Sequence, residues 1–127
     1  MNPGDNLPTR VLTVEAAPMH VIARVLRDPN PIHLDPKAAA AAGLGDRVIN
    51  QGPNNVAYVM DMLLAAFPGY RLAAFDCKFL ASVRGGDKVE SGGVITEVAG
   101  DRVECDAWLK VEGGATAIGA KATMLRR

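Results

Sequence analysis

The chain has 127 residues, 49% of them hydrophobic, which suits one domain with one core and is far too apolar for a disordered segment. Its 14 Lys and Arg residues balance 14 Asp and Glu residues, so no cationic surplus points to nucleic acid. The longest strongly apolar stretch, Val56 to Phe67, is too short to cross a bilayer and contains Asp61, so no membrane association is expected.

A short strand is expected first, Thr9 to Val14, then a helix from about Ala16 to Leu26. Arg27 to Leu34 carries two prolines and reads as irregular. A short helix over Pro36 to Ala42 follows. Asp35 suits its N-cap, Pro36 its first position and Gly43 its stop. After Gly52, the residues Val56, Val59, Met60, Leu63, Leu64 and Phe67 recur at helical spacing. Ala57, Met62, Ala65 and Ala66 fill much of the other side, and a helix apolar nearly all round calls for burial on most faces. Pro68-Gly69 ends it.

Beyond Gly69 the pattern alternates. Phe75, Cys77, Phe79, Ala81 and Val83 share one strand face. Val103, Cys105, Ala107, Leu109 and Val111 share another, with Glu104, Asp106, Lys110 and Glu112 opposite. This is the period of half-buried antiparallel strands. Gly85-Gly86-Asp87, Ala99-Gly100-Asp101 and Gly113-Gly114 mark turns. Gly92-Gly93 interrupts the strand from Lys88 to Val98 and predicts a bulge or bend. One buried helix followed by four long strands predicts a single α+β domain over residues 1–127, its antiparallel sheet curled around the helix. Cys77 and Cys105 lie far apart on apolar strand positions and read as buried free thiols, with no metal-ligand spacing around them. No metal is expected. Free thiols and the lack of an export signal point to the cytoplasm.

The chemistry concentrates in Asp28-Pro29-Asn30-Pro31-Ile32-His33-Leu34-Asp35. A carboxylate and an imidazole stand five residues apart in a loop stiffened by proline. Such a loop can converge both side chains on one small target such as water, and histidine exchanges protons near neutral pH. Singly, each residue has a plainer explanation. Asp28 can be a turn residue, His33 a loop residue with a satisfied hydrogen bond, and Asp35 only the helix cap.

The whole string resembles the hydratase motif of the MaoC-like, R-specific enoyl-CoA hydratases, Asp-x-Asn-Pro-(Ile or Leu)-His-x-Asp, at every fixed position. The likeness continues through the alanine-rich helix from Lys37 to Ala42, Gly52 at the start of the apolar helix, and Phe79, Val83 and Gly86-Asp87. It implies the hot-dog fold, an antiparallel sheet wrapped round a long central helix. It implies reversible hydration of a 2-enoyl thioester, on coenzyme A or an acyl carrier protein, to an R-3-hydroxyacyl thioester. Asp28 and His33 are then the catalytic pair that activates water, with Asn30 shaping their loop. The Gly52 N–H, at a helix N-terminus, polarises the thioester carbonyl. Coenzyme A is part of the substrate, and no separate cofactor is implied.

The segment Asn50-Gln51-Gly52-Pro53-Asn54 departs from the family's His-Gly-Met. Gln51 and Asn54 become substrate-binding candidates, with Asn54 or Asn55 assisting Gly52. Met60 stands where some relatives carry a serine, and Tyr58 is nearby. An asparagine-containing start to this helix resembles a branch acting on bulky acyl-CoA, including steroid side chains, at times as a two-protein complex. Arg84, Lys88 and Arg71 are candidates for the coenzyme A phosphates. Hot-dog domains pair through sheet edges, so a homodimer is expected, or a hetero-oligomer with a second hot-dog protein. Two rival readings stand beside hydration: a hot-dog thioesterase, for which Asp61 is the only acidic residue on the central helix, and a non-catalytic subunit that shapes a partner's tunnel.

Overall fold

The computed structural model describes residues 1–127. Strand β1 (Arg10–Thr13) leads to helix α1 (Ala17–Leu26), a 3-10 turn (Pro31–His33) and a short helix α2 (Pro36–Ala41). The long helix α3 (Gly52–Ala66) follows, then strands β2 (Tyr70–Phe79), β3 (Lys88–Ala99), β4 (Arg102–Val111) and β5 (Thr116–Arg126). The strands form one antiparallel sheet in the order β1-β3-β4-β5-β2. The result is the single α+β domain expected.

Alternation builds the sheet's inner face. Val103, Cys105, Ala107 and Leu109 of β4 are buried. They pair with Met124, Ala122, Ala120 and Ile118 of β5, which are buried too. A one-residue slip of β4 would drive Glu104 and Asp106 into this layer, so the register is strongly specified. Onto it α3 lays Val59, Met62 and Leu63, with Phe67 just past its end. Each such side chain contributes about 1.5–3 kcal/mol when fully buried. No helix of the chain is long and apolar enough to cross a membrane.

Three expectations change. Helix α3 is buried on one side only: Ala57, Asp61, Leu64 and Ala65 are exposed, because a single five-stranded sheet covers one face. Strand β2 stops at Phe79, short of Ala81 and Val83. The Leu80 and Ala81 N–H groups both turn to the Ala117 carbonyl, and Val83 instead accepts from the Asn50 N–H at 2.7 Å. Gly92 and Gly93 form no bulge. They pair in register with Trp108 and Ala107, and the register shifts later, between Ile95 and Glu97. Close approach explains these glycines: a Cβ on Gly93 would lie 2.7 Å from the Asp106 carbonyl oxygen, and one on Gly92 2.9 Å from Trp108 Nε1. Both cysteines are free, with Cys105 buried and Cys77 half-buried.

Candidate active site

The end of α1 sets Asp28 in place. Arg27 adopts the left-handed conformation at φ 52°, its N–H reaches the Arg24 carbonyl, and the Asp28 N–H reaches the Ala23 carbonyl at 2.9 Å. This is a Schellman stop, and Pro29 keeps the helix from resuming. Asp28 then folds the loop after it. Its Oδ1 accepts from the Asn30 N–H at 3.1 Å, and Asn30 Oδ1 in turn accepts from the Ile32 N–H at 3.3 Å. Asn30 is exposed and caps the 3-10 turn that carries His33. Asp35 caps α2 by accepting from the Lys37 N–H at 2.9 Å, and Gly43 closes α2 at φ 75°.

His33 is 9% exposed and clasped by Ile49. The Ile49 N–H donates to the Ile32 carbonyl at 2.9 Å, and His33 Nδ1 meets the Ile49 carbonyl at 2.6 Å. A carbonyl can only accept, so Nδ1 carries the hydrogen and neutral His33 presents a lone pair at Nε2. That nitrogen faces Asp28 Oδ2 at 3.5 Å, longer than a strong direct hydrogen bond. Asp28 is partly exposed, and its far side borders an open groove of about 670 Å³ with His20, Arg24 and Arg27.

The clasp runs straight into α3. Gly52 follows Ile49 by three residues and is the first residue of the helix. Of the N–H groups a helix start leaves unpaired, Pro53 has none, and Asn54 and Asn55 both donate to the Gln51 carbonyl. The Gly52 N–H has no partner in the chain. It is thus the one free donor at the positive end of the α3 dipole. The Phe79 ring lies over Gly52, 3.1 Å from where a Cβ would stand, and both Phe79 and Leu80 are exposed.

Gln51 is fully buried, with both ends of its amide engaged. Nε2 donates to the Met19 carbonyl at 2.8 Å, and Oε1 accepts from Asn54 Nδ2 at 2.9 Å. Asn54 Nδ2 also reaches Asn50 Oδ1 at 3.1 Å, and Asn50 Nδ2 reaches Asn55 Oδ1 at 2.8 Å and the Tyr58 oxygen at 3.2 Å. The structure therefore sets Asp28 against His33 and His33 against Ile49, three residues before Gly52, keeps Asn30 in the loop, and ties Gln51 and Asn54 into an amide cluster. Sequence reasoning missed the Ile49 and Met19 carbonyls, which no pattern marks. It also missed the joint role of Asn50, Asn55 and Tyr58. Four carboxamides within six residues at the start of an apolar helix were the available signal. Of the cationic candidates, Arg84 pairs with Ile49 as an isolated bridge and donates to the Leu44 carbonyl. Arg71 lies eight residues up β2 from Phe79, roughly 27 Å away along the strand. Lys88 pairs with Thr13 at the β1 edge.

A model of the MaoC-like domain matches residues 2–117. The chain belongs to that family, and so to a class of hydratases and dehydratases on the hot-dog fold. Among solved structures it resembles the (R)-hydratase from A. caviae involved in PHA biosynthesis, at TM-score 0.90 and 22% identity over 100% of this chain and 98% of that one. It also resembles the ChsH1-ChsH2 complex from Mycobacterium tuberculosis, at TM-score 0.87 and 17% identity over 100% of this chain and 99% of that one. A MaoC-like dehydratase from Rhodospirillum rubrum follows, at TM-score 0.82 and 24% identity over 100% and 94%. No curated protein matches the chain in sequence.

Proposed function

We propose that the protein adds water reversibly to a trans-2-enoyl thioester, carried on coenzyme A or an acyl carrier protein, to give an R-3-hydroxyacyl thioester. The observation that carries this reading is the orientation of His33, whose Nε2 lone pair turns to Asp28 while the Ile49 carbonyl holds Nδ1–H. A water held by both groups attacks the β-carbon as Nε2 takes one of its protons. Asp28 orients the water and balances the imidazolium. The electron pair of the double bond moves toward the thioester oxygen, where the Gly52 N–H and the α3 dipole stabilise the charge. The α-carbon then takes the proton back through the same pair. One C–O and one C–H bond form, one O–H bond of the water and one π bond are lost, and no co-reactant is consumed. Coenzyme A enters only as part of the substrate.

In this scheme Asn30 sets the loop, Gln51 anchors the start of α3 to Met19, and Asn54 sits where substrate can reach it. Exposed Phe79 beside Gly52, exposed Leu80 next to it in the chain, and the two sheet edges at β1 and β2 favour an acyl tunnel closed by a second hot-dog chain, either a copy or a distinct partner. The thioesterase reading gains little. Asp61 is exposed and stands nine residues past Gly52, about 13 Å along the helix. Crotonyl-CoA tests the choice. Loss of enoyl absorbance without free thiol is the expected result, and release of thiol would refute hydration in favour of hydrolysis.

A further inference from the structure

One carbonyl dictates the polarity of the amide cluster at the start of α3. The Met19 oxygen can only accept, so the Gln51 atom against it is Nε2, and Oε1 faces Asn54. Oε1 can only accept in its turn, so Asn54 offers Nδ2 to it and to Asn50 Oδ1. Asn50 must then point Nδ2 the other way, to Asn55 Oδ1 and the Tyr58 oxygen. Three groups are left over, one of them Asn55 Nδ2, which has no acceptor in the chain. The Tyr58 oxygen is already accepting, so its hydrogen is free to donate elsewhere. Asn54 Oδ1 has no donor in the chain.

Tyr58 and Asn54, with Asn50, line a cavity of about 300 Å³ between α1 and α3. Leu12, Pro18 and Ile22 supply its apolar wall, the exposed Thr13 adds a hydroxyl, and the exposed Glu15 is its only charged neighbour. That volume lies at the small end of ligand sites and suits a short chain or a small ring. An apolar wall beside the Tyr58 O–H donor and the Asn54 Oδ1 acceptor favours one chemistry at that pair. A hydroxyl accepts from Tyr58 O–H and donates to Asn54 Oδ1. A ketone satisfies only the first, and a hydrocarbon neither. Asn50 joins this cavity to the reaction centre: the residue before it holds His33, and Gly52 follows two residues later.

We infer that the cavity is an acyl subsite for an alcohol: the thioester substrate carries a hydroxyl on an apolar chain or ring, beyond the reacting carbons, read by Tyr58 and Asn54. The inference rests on the enoyl-thioester reading, and unreactive ligands let the two fail separately. Titration calorimetry on the parent protein compares an unsubstituted saturated acyl-CoA with a series bearing one hydroxyl at successive carbons. One hydroxyl position is expected to bind about tenfold more tightly than the unsubstituted thioester. The preference is expected to fall to near unity in Tyr58→Phe. The readout is a ratio within each protein, so a general loss of affinity cancels. Ile22→Trp fills the cavity without touching the amides and is expected to remove the same preference. A parent that prefers no hydroxylated thioester overturns the subsite, as does a preference that survives both substitutions. Crotonyl-CoA hydration, measured alongside, reports on the reaction alone. Its absence beside an intact hydroxyl preference would retain the subsite and refute the hydratase.

Discussion

Replacing His33 with alanine removes the partner of a buried carbonyl. The Ile49 oxygen accepts from Nδ1 at 2.6 Å, and Ile49 itself is 6% exposed. An acceptor orphaned in such a place costs about 1–3 kcal/mol. In a chain of this length each kcal/mol moves the melting midpoint by roughly 3–5 °C, so His33→Ala is expected to melt roughly 3–15 °C below the parent. Asp28→Asn behaves differently. It keeps Oδ1, the acceptor for the Asn30 N–H, at a side chain already 36% exposed. Its stability is expected to change by less than about 1 kcal/mol. Its new amide nitrogen stands 3.5 Å from Nε2, where it donates to the lone pair that must take the water's proton. Both variants are expected to lose about 10²–10⁴ in kcat. Activity is read from enoyl absorbance with crotonyl-CoA and stability from thermal melts by circular dichroism. If His33→Ala melts with the parent, the Ile49 clasp is wrong. If Asp28→Asn keeps more than about a tenth of the parent rate, the assignment of the pair is wrong.

Gly52→Pro deletes the free N–H, and Gln51 at φ −63° and ψ 141° already has the conformation that proline asks of its predecessor, although the new ring also meets Phe79 and stands directly before Pro53. Exposed Phe79 can swing aside, and kcat is expected to fall by about 10²–10³ in the same assay with the helix intact by circular dichroism. Gly93→Ala forces a methyl against the Asp106 carbonyl and Leu7, and a urea titration should show a loss of about 1–3 kcal/mol. Burial, then the charges of Glu104 and Asp106, pushes the Cys105 thiol from 9.0 up to about 11. The unfolded chain loses that proton first, so the stability it contributes is whole below pH 9.0 and is lost as pH rises to about 11. Urea midpoints across this window should fall in the parent and flatten in Cys105→Ala.

Where sequence and structure agree, the agreement has local causes. Helix α2 follows from the Asp35 cap, Pro36 and Gly43, three neighbours whose effects need nothing distant. Strand β4 follows from strict alternation, which only one register can satisfy. Disagreement arises where a residue answers to a distant neighbour. Gly92 and Gly93 look like a bulge along the chain, yet they make room for Trp108, Asp106 and Leu7. Val83 keeps the period of β2 but spends its carbonyl on Asn50. The outer side of α3 is apolar enough to be covered, and this chain alone does not cover it.

The candidate site divides in the same way. The order of residues from Asp28 to Asp35 was enough to mark a carboxylate, an imidazole and a proline-stiffened loop, because those properties belong to the residues themselves. Which imidazole nitrogen holds the hydrogen is decided by Ile49, sixteen residues away. That Gly52 keeps the one free N–H depends on a proline and on a glutamine carbonyl occupied by two neighbours. Gln51 reads as a substrate contact in the sequence and becomes an anchor only because folding brings Met19 to it. Residue type and spacing thus determined what chemistry this chain can offer. Tertiary packing decided which atoms remain free to perform it, since a hydrogen bond is committed only when its partner arrives.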